Sequence, residues 1–128
     1  YPEWQTYTDD HLASFFELDT YFYSSFYTNN LFPEAIKFTN AYRKWYSKDM
    51  ANTFPKYGML GFDTAFFFLK GLHKYGSNFE ENMNQMMLTP IQTGFKFERV
   101  NNWGGFINRK VFFVNFTKNF ELIKLDFE

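Results

Sequence analysis

The sequence predicts an α/β fold that combines three helices with a small mixed sheet and β-hairpins near the carboxyl end. Two segments place apolar residues at the i, i+3, i+4, i+7 spacing of an amphipathic helix. A segment dense in aromatic and hydroxylated residues precedes them, and segments typical of strands follow. The length of 128 residues suits one domain, so we expect residues 1–128 to form a single compact unit.

The amino-terminal part predicts short elements. Residues 4–7 are compatible with the end of a strand, and residues 12–16 with one short helical stretch. Residues 20–27 read Thr-Tyr-Phe-Tyr-Ser-Ser-Phe-Tyr, a composition that favours a strand. Asn29 and Asn30 follow as a turn signal.

Two amphipathic helices are predicted next. The first covers residues 33–47, begins with Pro33 in its first turn, and has its apolar face at Phe38, Ala41, Tyr42 and Trp45. The second begins near residue 56 and ends at Tyr75, with Gly76 as its left-handed stop. Its apolar face is predicted at Phe62, Ala65, Phe66 and Leu69, and Phe67 and Phe68 widen that face, so we expect burial on more than one side.

The remaining segments predict a short helix and then strands. Ser77-x-x-Glu80 matches a capping box for a third helix. Residues 95–100 alternate with the period of a half-buried strand, and residues 101–105 form a turn cluster. Residues 111–114 and 122–125 are the further strand candidates.

Composition excludes several classes of function. A quarter of the residues are aromatic (20 Phe, 9 Tyr and 3 Trp) and the formal net charge is −1. The basic residues are scattered, so we expect no nucleic-acid partner. The absence of cysteine excludes disulfides and thiolate chemistry. No apolar run approaches the roughly 18 residues of a membrane helix.

The sequence also offers no recognisable catalytic set. His11 and His73 lie far apart, and neither has a partner at a metal-ligand spacing such as H-E-x-x-H. There is no G-x-S-x-G elbow and no phosphate-binding glycine loop. We therefore expect a protein that is not an enzyme and that uses no cofactor or metal.

Three stretches carry a resemblance to a known family. Residues 37–46 look like an F-x-x-x-Y-x-x-x-Y helix, and residues 57–65 are similar to a Y-x-x-x-G-Y-D-A helix start with Phe62 in place of the usual Tyr. Residues 94–105 look like a G-x-[IF]-x-F…G-G hairpin. In this order and spacing, they resemble the carboxy-terminal portion of the type I periplasmic-binding-protein superfamily, in particular its branched-chain amino acid and amide receptors.

The resemblance implies a fold of two α/β lobes joined by three crossover strands, with solute held between the lobes. Residues 19–128 would supply the later portion, and the missing amino-terminal lobe would be its partner. The implied function is non-catalytic binding of a small polar solute, an amino acid or amide, in the periplasm or cell envelope. The alternative is a ligand-free, peptidoglycan-associated scaffold that retains the fold.

The aromatic and Asn-rich composition further resembles envelope-associated versions from Bacteroidetes-like bacteria, some of which carry a LysM module upstream. Such a module would provide contact with peptidoglycan. We also expect the chain to self-associate, because apolar surface left uncovered by the missing lobe tends to pair.

The resemblance also suggests ligand-binding residues. By position, Tyr57 would lie near the ligand; the alternative is that it packs against the helix it precedes. Asp19 corresponds to a region that offers a carboxylate to the ligand's amine, as does Glu17; the alternative is a solvated loop carboxylate. Tyr21 and Tyr23 are candidates of the same kind.

Two other sets favour structural roles. Asp63 lies near a predicted helix start, where its charge would oppose the positive end of the helix dipole. Met83, Met86 and Met87 have helical spacing, which indicates core packing more often than an adaptable binding face.

Overall fold

The computed structural model describes residues 10–125 of the chain. Within them the fold is mixed α/β, with three helices of eight residues or more and two small antiparallel sheets. The elements in chain order are α1 (Asp10–Glu17), β1 (Tyr21–Ser24), α2 (Pro33–Tyr46), α3 (Tyr57–Tyr75), the single-turn helix α4 (Phe79–Asn82) with a 3-10 turn on either side (Gly76–Asn78 and Met83–Gln85), β2 (Phe97–Arg99), β3 (Phe106–Asn108), β4 (Phe112–Phe116) and β5 (Leu122–Leu125).

The predicted mixed sheet is wrong, because every strand pair of the described residues is antiparallel. One sheet has the order β1-β4-β5, and the other pairs β2 with β3. Short turns connect β2 to β3 and β4 to β5, and a short turn can join only antiparallel neighbours. The sequence analysis did not predict a strand at residues 106–108, and this strand, β3, is the partner of β2.

The described chain divides into two compact units. The first unit contains α1, β1, β4 and β5, and the second comprises residues 27–110. Each unit therefore has its own core.

In the first unit, one aromatic cluster joins the helix to the sheet. Phe116 of β4 packs against Phe22 of β1 and against Phe15 and Phe16 of α1, with ring centroids 5.2 to 5.5 Å apart. Val114 is fully buried beside them. Aromatic side chains bury large areas, so this cluster replaces the aliphatic core that a small sheet usually has.

In the second unit, α3 packs against the segments that follow it. Phe67 of α3 forms the core with Phe79 and Met83, and Phe95 and Phe97 pack on its ring at 4.4 and 5.5 Å. The bounds of α2 and α3 confirm the two predicted helices. The predicted end of α3 at Gly76 is confirmed, and its φ of 55° is one that favours glycine, but its ψ of −128° lies outside the left-handed helical region that was predicted.

The buried faces of these two helices differ from the predicted ones. Met59, Asp63, Phe67 and Gly71 are the buried residues of α3, whereas the predicted face at Phe62, Ala65, Phe66 and Leu69 stays exposed. On α2, Phe38 and Tyr42 are half-buried as predicted, but Trp45 is exposed. Apolar residues surround most of α3, so periodicity alone could not select the side that meets the core.

The predicted capping box is not formed. The 3-10 turn that begins at Gly76 follows α3 without an intervening residue, and Asn78, which precedes α4, forms no side-chain cap hydrogen bond. Glu80 instead forms an ion pair with Arg99 of β2. The prediction for residues 4–7 lies outside the described residues. None of the helices described is both long and apolar enough to cross a membrane.

Two glycines of α3 allow a matched test of this packing. A Cβ at Gly61 would meet open space, whereas a Cβ at Gly71 would overlap the buried ring of Phe79. Alanine favours a helix over glycine by about 0.5–1 kcal/mol, so we expect Gly61→Ala to raise the free energy of unfolding by that amount. We expect Gly71→Ala to lower it by about 1–3 kcal/mol, because the core ring must move.

The measurement is urea unfolding at low micromolar protein concentration, followed by circular dichroism. Equal stabilisation by both substitutions would contradict the described contact between α3 and Phe79.

Candidate functional site

The second unit contains an apolar cleft between α2, α3 and residues 88–95. Its volume is about 340 Å³. The lining is mostly apolar, from Phe38, Ala41, Phe62, Phe66, Leu88, Pro90, Ile91 and Phe95, and is completed by Glu34, Lys37, Asp63 and Thr89.

Aromatic rings form the wall of the cleft that the two helices share. Phe38 of α2 contacts Phe62 of α3 with 5.0 Å between ring centroids. Phe66, one turn further along α3, lies parallel to Phe62 at 5.6 Å with an interplanar angle of 9°. Phe62 and Phe66 are each 43% exposed, so both retain ring surface that a ligand can cover.

The opposite wall is held in place by the carboxylate of Asp63. This side chain is only 4% exposed, and its two oxygens accept three backbone hydrogen bonds. The N–H of Ile91 donates to Oδ1 at 2.9 Å, and the N–H groups of Gln92 and Thr93 donate to Oδ2 at 2.8 Å each. A buried carboxylate needs such donors, and hydrogen bonds to a charged acceptor are the stronger kind. Residues 91–93 are thereby tied to the middle of α3.

Gln92 fixes the same segment to the start of α3. Its side-chain Oε1 accepts a hydrogen bond from the N–H of Lys56 at 3.0 Å, and its Nε2 donates to the Lys56 carbonyl oxygen at 3.2 Å. Its own carbonyl oxygen accepts a hydrogen bond from the N–H of Tyr27 at 3.0 Å. Burial raises the pKa of the Tyr27 phenol, which keeps that side chain neutral. The cleft wall is therefore a pre-formed part of the fold.

Opposite charges lie next to each other at the cleft. Glu34 and Lys37 are three residues apart on α2 and both are exposed, so they can face solvent and ligand together. The charge of Asp63 is already satisfied by the backbone. Among the described residues that line the cleft there is no histidine or cysteine, and the arrangement favours binding of an apolar body with polar groups at its edge.

A second cavity of about 440 Å³ lies on another side of α2. It is more polar, and Arg43 and Asp49, which contribute to its lining, form an exposed ion pair with each other. That pairing satisfies the two charges internally, so this cavity makes a weaker candidate site.

Of the residues predicted to bind ligand, Tyr57 lies in the second unit. It is the first residue of α3 and its side chain is 66% exposed. Packing against its own helix, the alternative to ligand contact, therefore covers only a minor part of its surface. The described cleft lining does not include it. A role for Tyr57 in binding stays a prediction.

The other three candidates lie together in the first unit. Tyr21 and Tyr23 point to the outer face of β1, because Phe22 and Ser24 occupy the buried positions between and beyond them. Asp19, just before the strand, accepts a hydrogen bond from Nδ2 of Asn115 at 3.1 Å and is half-buried rather than fully solvated. Their assignment as ligand contacts also stays a prediction.

Sequence reasoning misjudged how Asp63 acts. Its role is structural, as expected, but it is the seventh residue of α3 and binds backbone N–H groups from residues 91–93, so the helix dipole is not its partner. The sequence signal for a buried, hydrogen-bonded carboxylate was the position of Asp63 inside the apolar segment from Met59 to Leu69. Met83 and Met86 belong to the core as predicted, whereas Met87 is exposed.

Comparisons with known proteins leave the family open. No protein-family model matches the chain, and neither curated proteins nor solved structures provide a match. Within the described part of the chain, no group of three or more His, Cys, Asp or Glu side chains could hold a metal ion. The geometry of the cleft is therefore the main guide to function.

The hydrogen bonds of Asp63 can be tested by an isosteric change. In Asp63→Asn, one oxygen becomes an NH₂ group that faces backbone donors, so at least one buried N–H loses its acceptor. We expect the free energy of unfolding to fall by about 3 kcal/mol. Asp49→Asn is the matched control, since an exposed ion pair contributes at most about 1 kcal/mol.

Thermal and urea unfolding of the two variants measure the difference. Equal stability of Asp63→Asn and the unmodified protein would show that the carboxylate does not hold residues 91–93.

Proposed function

We propose that this chain is a non-catalytic binding protein that takes a small amino-acid-like solute with an apolar side chain in the cleft between α2 and α3. The observation that carries the proposal is an apolar, aromatic-walled cleft with one exposed acidic and one exposed basic side chain, Glu34 and Lys37, beside it. The site is built from rigid elements, because Asp63 and Gln92 tie the wall opposite the two helices, residues 91–93, to α3.

The size of the cleft supports a small ligand. Ligand sites usually have volumes of roughly 300–1,000 Å³, and are mostly apolar with a few polar groups that set orientation. At about 340 Å³, this cleft lies at the lower end of that range. An apolar side chain would cover the exposed ring surfaces of Phe62 and Phe66.

The charges support a ligand with both an ammonium and a carboxylate group. Glu34 would attract the ammonium group and Lys37 the carboxylate group. Because both side chains are exposed, each pairing contributes on the order of 1 kcal/mol or less. Most of the affinity would therefore come from the aromatic wall.

The resemblance to periplasmic solute receptors supports the same proposal. Two of its three stretches, residues 37–46 and 57–65, fall on α2 and α3, which supply most of the cleft. A location in the periplasm or cell envelope and an additional lobe of the same protein belong to this proposal.

Titration calorimetry with free leucine, phenylalanine and glutamate tests the proposal. We expect leucine or phenylalanine to bind and glutamate not to bind, because the lining cannot satisfy a second carboxylate. Phe62→Ala should weaken binding at least about tenfold, since a covered aromatic face contributes about 1.5 kcal/mol or more. Lys37→Ala should weaken it only a few fold.

Controls separate this site from the other candidates. Trp103 is almost fully exposed in the β2–β3 turn, so Trp103→Ala should leave affinity unchanged. Loss of affinity in Tyr57→Ala but not in Phe62→Ala would show that the ligand binds at Tyr57 and not in the cleft. Absence of binding to every amino acid tested would favour the alternative function, a ligand-free envelope scaffold.

A further inference from the structure

Helix α3 has a third side that faces neither the core nor the cleft. Positions 57, 61, 65, 69 and 72 share this side, since they are separated by the helical spacing of three or four residues. We call it the outer face of α3, and all of its residues are exposed: Tyr57, Gly61, Ala65, Leu69 and Leu72.

No charged residue lies on the outer face. From Tyr57 to Leu69, the only charged residue of α3 is Asp63, and that side chain is buried. A helix at a protein surface normally presents polar residues to water, and a helix that is apolar all round is buried. The outer face therefore has the composition of a contact surface.

The area of the face decides what kind of contact is possible. Leu69 is 68% exposed and Leu72 is 52% exposed. Together with Tyr57, which is 66% exposed, they give an exposed apolar side-chain area on the order of 400 Å², taking roughly 150–250 Å² for one whole large side chain. Twice this area, on the order of 800 Å², lies in the range of weak, transient interfaces.

The shape of the face is complementary to itself. Gly61 and Leu69 are each four residues from Ala65, on opposite sides of it. A Cβ built at Gly61 meets no atom within 4 Å, so this position is an open notch. If two copies of α3 pair in antiparallel orientation about Ala65, Leu69 of each copy enters the Gly61 notch of the other. A two-fold interface requires this kind of self-complementarity.

From these observations we propose that two copies of this chain form a weak symmetric dimer through the outer faces of α3, with the helices antiparallel and crossing at Ala65. The proposal does not depend on the function of the cleft, because neither Gly61, Ala65, Leu69 nor Leu72 lines it.

Sedimentation equilibrium of the full chain, from about 1 to about 500 μM, tests the dimer. We expect the mass to rise with concentration from 15.5 kDa towards twice that value. Leu69→Glu should raise the dissociation constant at least tenfold, because a charge would be buried in the apolar contact. Met87→Glu is the matched control, since Met87 is 98% exposed and outside the face, and it should leave the mass distribution unchanged.

Gly61→Leu separates a specific helix pair from general hydrophobic adhesion. This change adds apolar surface but fills the notch, so it should weaken the proposed dimer, whereas general adhesion would become stronger. Circular dichroism of each variant checks that the monomer is folded. A mass of 15.5 kDa at every concentration, or dimers that persist in folded Leu69→Glu, would overturn the proposal.

Discussion

The buried carboxylate of Asp63 is the interaction on which the second unit depends. It holds residues 91–93 against α3 through three backbone hydrogen bonds. The chain that leaves this anchor leads to Phe95, whose ring stacks on Phe67 at 4.4 Å. The same anchor therefore positions one wall of the cleft and closes one side of the core. A buried charge stabilises such an arrangement only while all its donors stay in place, which makes the segment a rigid part of the fold.

Helix α3 uses its aromatic residues in three separate ways. Phe67 is buried in the core, and Phe62 and Phe66 form the shared wall of the cleft. Tyr57 lies on the outer face with Leu69 and Leu72. One helix thus contributes to stability, to the proposed binding of a solute and to the proposed dimer. The high Phe content is explained in part by this multiple use, because each side of the helix needs large apolar groups.

The two proposals for this protein have different physical origins. Solute binding rests on a concave surface, where aromatic rings are already arranged and two opposite charges stand at the edge. Self-association rests on a convex helix face, where area and a glycine notch matter and charge plays no part. Because different residues carry them, either property can be lost without the other.

The sequence by itself determined the bounds of α2 and α3 and the approximate positions of β1, β2, β4 and β5. Pro33 suits the first turn of α2, Gly76 adopts the positive φ that ends α3, and alternating residues predict β2, while short apolar runs predict β4 and β5. Tertiary structure decided which side of α3 is buried, since apolar residues on several sides make the periodicity ambiguous. It also decided the pairing of β1 with β4 and the partners of Asp63, because both join residues that are distant in the chain. Such contacts depend on how the whole chain packs, and no local pattern encodes them.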